Sequence, residues 1–201
     1  MSQLTKIVLA GEGGQGVQSV ANILTEAAYA QGKQTLYIPN FGVEQRGGVS
    51  VAVVQISDAP ISSLKFAKAD IVVALSDRAI LRTAQYVDAN TTFIYDHSLD
   101  ASLVPKETKQ TLSIPALEIV QKELHPRVFN VLIMGAVVGA TGMVALADVE
   151  AEMGKKLQYK FDKEPALKEM NRKALALGAS YTSGAVRTGC ANAEVKNADV
   201  K

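Results

Sequence analysis

Cysteine is nearly missing from this chain: its 201 residues hold one, Cys190, in a polar tail. A lone thiol forms no internal disulfide, and one thiolate holds neither an iron–sulfur cluster nor a four-ligand zinc site. Tryptophan is absent, aromatic residues make up 5%, and the two histidines, His97 and His125, lack the spacing of a metal pair. An excess of either charge is missing too. The formal net charge is +1, and Lys and Arg are scattered among acids with no arginine-rich or aromatic-interleaved stretch, so nucleic acid is not an expected partner. The start, MSQLTKIVLAGEGG, runs from a short apolar stretch straight into a glycine turn and lacks the basic start, apolar middle and cleavage site of a secretory signal. These absences predict a cytoplasmic chain that carries no metal.

Catalytic patterns are missing as well. No serine stands in a G-x-S-x-G elbow, no cysteine is placed for covalent chemistry, and no Lys-Ser or Lys-Thr follows the glycine turn as in a nucleoside-triphosphate loop. Asp70, Asp77 and Asp96 flank predicted strands, where carboxylates commonly cap turns. No catalytic residue is assigned.

What is present is a globular composition, 48% hydrophobic and 20% charged. Lys6 to Ala10 reads as a buried strand, Gly11 to Gly16 as a turn, and Val17 to Gln31 as a helix with Val17, Val20, Ala21, Leu24 and Ala28 on one face. Residues 33–40, 50–58, 69–77 and 90–96 read as further strands, and Arg78 to Val87 as a helix. A short strand and a helix follow within 111–126. Strand alternating with helix predicts a single-domain α/β fold, a mostly parallel Rossmann-like sheet with helices on both faces and a helical C-terminal part. The closing helix is expected to begin at Pro165 and stop at Gly178. The domain is taken as 1–180, and 181–201 as a polar, flexible tail.

Residues 128–147, VFNVLIMGAVVGATGMVALA, carry no charge and have about the length that spans a bilayer. Asn130, Thr141 and three glycines dilute the apolarity, and no basic cluster flanks it. The expectation is a buried or subunit-interface helix, with Gly135 and Gly139 as candidate interface positions, and no membrane contact.

Two glycine-rich loops stand out. In LAGEGGQGVQSVANIL, residues 9–24, Gly11, Gly13 and Gly16 form G-x-G-x-x-G between a strand and a helix, where glycine lets backbone approach a pyrophosphate and the helix start favours its charge. Gly11, Gly13, Gly14, Gln15 and Gly16 are therefore the candidate anion site. The acidic residue that would take a ribose about 20 residues on is missing; Pro39-Asn40 stands there, and Glu44 is four residues late. An anion site and simple tight helix packing both remain open. In FGVEQRGG, residues 41–48, Phe41, Gly42, Glu44, Arg46, Gly47 and Gly48 are candidate interface residues: Arg46 can clamp a carboxylate or phosphate, the glycine pair can turn N–H groups outward, and an exposed aromatic suits a contact surface.

Taken together, GEGGQGVQSVANIL (11–24), FGVEQRGGVSVAVVQISDAPI (41–61), ADIVVALSDRAI (69–80) and NVLIMGAVVGATG (130–142) resemble the gamma subunit of the 2-oxoacid:ferredoxin or other-acceptor oxidoreductases, over about residues 4 to 178. The family pattern Y-G-P-E-x-R-G-G is matched at Gly42, Glu44, Arg46, Gly47 and Gly48, with Phe41 and Val43 replacing tyrosine and proline. The resemblance implies a subunit of a complex that oxidatively decarboxylates a 2-oxoacid to its acyl-CoA. It implies alpha, beta and delta partner subunits that carry thiamine diphosphate, magnesium and iron–sulfur clusters, coenzyme A as co-substrate, and ferredoxin or another electron acceptor. ISDAPI is most similar to the 2-oxoglutarate branch, with pyruvate and ketoisovalerate enzymes sharing the domain. On this reading the chain builds subunit interfaces and is not itself catalytic. The alternative is a free-standing nucleotide- or flavin-binding oxidoreductase that uses the Gly11–Gly16 turn.

Overall fold

The structure, a computed structural model, describes residues 4–40 and 48–183. Six strands form one sheet: β1 (Leu4–Glu12), β2 (Gln34–Asn40), β3 (Val49–Ser57), β4 (Ile71–Ala74), β5 (Thr92–Asp96) and β6 (Gln110–Ile114). The helices are α1 (Val17–Ala30), α2 (Asp77–Thr83), α3 (Ala116–Lys122), α4 (Phe129–Thr141), α5 (Leu146–Phe161) and α6 (Ala166–Thr182). The spatial order is β2-β3-β1-β4-β5-β6.

Strands β1, β4, β5 and β6 pair in parallel, and β3 pairs antiparallel with both β1 and β2. The sheet is thus mostly parallel, as the strand–helix rhythm predicts, with β3 inserted against the grain. The cause lies in the connection. Only eight residues lie between β2 and β3, and a parallel crossover needs a dozen or more, so β3 pairs antiparallel with β2. Pro39, expected to end β2, lies inside it because β2 is the sheet edge, where a missing ladder donor is tolerated.

Alternation along the strands feeds two cores. Ile7, Leu9, Ala52, Val54, Ile71, Val73, Ile94 and Leu112 point to one face, where α1, α3, α4, α5 and α6 pack. Val8, Ala10, Val51, Val72, Ala74, Phe93 and Tyr95 point to the other, covered by Ala79 and Ile80 of α2 and by loop residues such as Phe66 and Leu103. β1, β4 and β5 are buried on both faces, which is why each reads as a nearly unbroken apolar run.

The uncharged 128–147 stretch resolves into a turn and a 13-residue helix, α4, stopped by Gly142 in the left-handed conformation at φ 60°. Such a helix is about 20 Å long, short of the roughly 30 Å of a bilayer interior. Among the described residues no helix is long and apolar enough to cross a membrane. Instead α4 is buried against α6 at backbone distance. A Cβ on Gly135 would run into the Leu175 carbonyl, one on Gly139 into that of Ala179, and one on Gly178 into that of Leu132. Two corrections follow. Gly135 and Gly139, expected at a subunit interface, are consumed by a contact within the chain. Gly178, expected to stop the last helix, lies inside it as the point of closest approach, and α6 continues to Thr182, whose hydroxyl donates to the Ala136 carbonyl at 2.7 Å. Residues 184–201 of the expected tail, with Cys190, lie outside the described residues.

Candidate functional site

β1 and β4 are neighbours, yet β1 leads to α1 on one face and β4 to α2 on the other. Such a reversal opens a crevice outside the carboxyl ends of the strands. The crevice here is a cleft of about 870 Å³ between the glycine turn, the ends of β4 and β5, and the helices α4 to α6.

The turn is held from below. Gln15 N donates to the Glu12 carbonyl at 3.1 Å, Glu12 N donates to Gln15 Oε1 at 2.6 Å, and Gln15 Nε2 donates to the Leu75 carbonyl at 2.7 Å. The Gln15 amide thereby ties the turn to the end of β4. A Cβ on Gly11 would stand 2.7 Å from Gln15 Oε1 and 2.9 Å from Val17 Cγ2, so this glycine makes room for the tie. Gly14 (φ 97°) and Gly16 (φ 76°) take left-handed backbone, which glycine adopts without penalty. Gly16 is the N-cap of α1 and offers no side chain to the helix, so the first-turn amides of α1 are left without a cap and without intrahelical acceptors. They supply the positive end of the helix dipole to whatever lies beside them. Of the five turn residues proposed from sequence, Gly14, Gln15 and Gly16 line the cleft; Gly11 and Gly13 do not.

Opposite the turn stand residues that motif reading missed. Asn130, at the start of α4, packs on Gly16 and makes no side-chain hydrogen bond among the described residues. Asn171 of α6 also lines the cleft, as do Lys160 and Lys163 at the end of α5. Both lysines are exposed and have no carboxylate partner among the described residues; Lys160 Nζ lies 5.8 Å from the Tyr159 ring centroid. The two carboxylates on the wall are already engaged. Arg127 donates to Glu164 at 3.0 Å. Asp96, 2% exposed, accepts from Ser98 N at 3.0 Å and from Leu117 N at 2.8 Å, besides the Ser98 hydroxyl, and so caps the start of α3. The balance left for a ligand is cationic. The sequence signal for Asn171 was a polar residue on the apolar stripe Leu167, Ala174, Leu175, Gly178.

Between α1 and the strands β2 and β3, Gln18 Nε2 donates to Ser50 Oγ at 2.7 Å and to the Val51 carbonyl at 3.1 Å, and the Tyr37 hydroxyl donates to Gln18 Oε1 at 2.6 Å. Burial pushes the Tyr37 phenol above its ordinary value. On the far side, the Lys122 ammonium, through its hydrogen bond and its charge, holds the Glu118 carboxyl below its usual range; His97 lies 3.6 Å from the same carboxylate. His125 caps a turn, its Nδ1 accepting from Arg127 N at 3.1 Å. Among the described residues no group of three His, Cys, Asp or Glu is placed to hold a metal ion.

The topology also bears on dinucleotides. In a dinucleotide fold the strand after the first helix lies beside β1 and its end meets the ribose. Here β3 intervenes, which sets β2 roughly 10 Å from β1. Asn40, at the end of β2, is therefore remote from the turn. Of the second loop, Gly48 is described, half-buried just before β3, whereas Phe41, Gly42, Glu44, Arg46 and Gly47 lie outside the described residues.

Comparison with known proteins agrees with this architecture. The chain is 30% identical over 176 residues to the ketoisovalerate oxidoreductase subunit VorA of Methanothermobacter marburgensis, covering 88% of this chain and 36% of VorA. It is 35% identical over 163 residues to the pyruvate/ketoisovalerate oxidoreductases common subunit gamma of Thermococcus litoralis, covering 73% of this chain and 87% of that one. In structure it is similar to the gamma subunit of a keto/oxoacid ferredoxin oxidoreductase from Geobacter sulfurreducens, with a TM-score of 0.75, 27% identity and coverage of 91% and 98%. It shares its fold with the 2-oxoglutarate:ferredoxin oxidoreductase of Magnetococcus marinus, solved with 2-oxoglutarate, coenzyme A and succinyl-CoA bound, at a TM-score of 0.81, 19% identity and coverage of 90% and 31%. The pyruvate ferredoxin/flavodoxin oxidoreductase family model matches residues 6–181, and the chain belongs to that family.

Proposed function

We propose that this chain is the gamma subunit of a 2-oxoacid oxidoreductase complex and that its switch-point cleft holds coenzyme A while partner subunits carry out the decarboxylation. The observation that carries this reading is the uncapped α1 N-terminus at Gly16 facing, across one cleft of cofactor size, two lysines without carboxylate partners among the described residues. A diphosphate suits the first and a further phosphate the second. The coenzyme A in the Magnetococcus marinus enzyme supports the choice of ligand. In the overall reaction the 2-oxoacid loses CO₂, its acyl group passes to the coenzyme A sulfur, and two electrons leave to ferredoxin or another acceptor. This chain's residues bind and orient the thiol donor; thiamine diphosphate, magnesium and iron–sulfur clusters belong to the alpha, beta and delta subunits. The ISDAPI block supports 2-oxoglutarate as the substrate, and Phe41, Gly42, Glu44, Arg46, Gly47 and Gly48 are assigned to subunit contacts.

Charge reversal of exposed lysines tests the ligand without touching the core. In the complex assembled with its partner subunits, K160E/K163E is expected to raise the KM for coenzyme A at least tenfold, about 1.4 kcal/mol, and to leave kcat at saturating coenzyme A and the KM for the 2-oxoacid unchanged. An unchanged KM for coenzyme A removes the ligand from this cleft.

A further inference from the structure

Asn171 is a polar residue in a place that favours apolar ones. It is 3% exposed, and Leu167, Ala174 and Leu175 on the same side of α6 are buried hydrophobics. Asparagine is a weak helix former and seldom a core residue, so its presence calls for a physical reason. Its Nδ2 donates to the Leu167 carbonyl, one turn back, at 2.6 Å. Only the amide nitrogen can make that bond, which fixes the orientation of the group and leaves Oδ1 as the polar atom available to the cleft that Asn171 lines. No described residue donates to Oδ1. The side chain is thus almost wholly buried and keeps one acceptor without a protein donor at the cleft wall, which a leucine, with the same branching, would remove.

We propose that Asn171 is a ligand-reading residue: its Oδ1 accepts a hydrogen bond from an N–H or O–H group of the molecule in the cleft. The ligand is then one that carries donors as well as phosphates, and inorganic pyrophosphate alone does not satisfy the site. The inference rests on the coenzyme A reading, and coenzyme A meets it with two sources of N–H donors, the pantetheine amides and the adenine amino group. The bond is made with bound ligand and not with the reacting atoms, so Asn171 governs affinity and not the chemical step.

The test uses the assembled complex carrying N171L, with N171A, which adds no bulk, as the second variant. Both are expected to raise the KM for coenzyme A about tenfold with kcat at saturation kept. Inhibition by 4′-phosphopantetheine and by 3′,5′-ADP separates the two donor sources: the fragment that bonds Asn171 loses affinity in N171L and the other does not. If both Asn171 variants keep the native KM while K160E/K163E raises it, Asn171 is a packing residue and the inference is overturned with the coenzyme A reading intact. If neither set moves the KM, the cleft does not hold coenzyme A and both fall.

Discussion

Gly11 and Gly13 open the same motif and do different work. A methyl on Gly11 would press on Gln15 Oε1 at 2.7 Å and Val17 Cγ2 at 2.9 Å and loosen the amide that ties the turn to β4. A methyl on Gly13 would meet nothing within 4 Å. Gly11→Ala is therefore expected to lower stability by about 1–3 kcal/mol, and Gly13→Ala by no more than about 0.5 kcal/mol, both measured by thermal unfolding. Equal effects from the two would mean that the Gln15 tie is not what Gly11 serves. At this scale the motif was legible and its division of labour was not. Spacing places glycines between a strand and a helix, but which of them clears a side chain and which bends the backbone depends on Gln15 and Leu75, and Leu75 comes from a strand far along the chain. Asn171 was invisible for a related reason: a single polar residue on a helical stripe acquires meaning only when the opposite wall of its cleft is known.

At the scale of elements, the pairing of α4 with α6 decides how the thick face of the sheet is built. Small residues let the helices meet backbone to backbone, so bulk at the crossing has nowhere to go. Gly178→Ala is expected to cost about 3 kcal/mol, seen as a lowered melting midpoint or loss of soluble protein, whereas a change within about 0.5 kcal/mol would show that the crossing relaxes freely. The elements themselves were largely readable, because period-2 and period-3.6 patterns report burial directly. Three features were not. The antiparallel run of β3 follows from the short link after β2, a matter of connection and not of the strand's own residues. Gly178 looked like a stop because glycine commonly ends helices, and only the partner helix shows it to be a contact point. Gly135 and Gly139 looked available to another subunit because an uncharged helix reads the same whether its cover comes from its own chain or another.

For the molecule as a whole, the reversal between β1 and β4 explains why the cleft lies where it does, and family membership explains why a dinucleotide-like turn appears without its acidic partner strand. β3 displaces β2 from the place where a ribose would be read, so of a dinucleotide site only the geometry of the turn is present. What completes the site comes from the C-terminal helices, through Asn130, Lys160, Lys163 and Asn171. The central claim is that the first-turn amides of α1 receive the diphosphate of coenzyme A. Hydrogen exchange of the assembled complex, followed at residues 16–19 with and without coenzyme A, tests it most directly. Slowed exchange of these amides, which have no acceptor within the helix, is the predicted result; exchange there unchanged at saturating coenzyme A would contradict it.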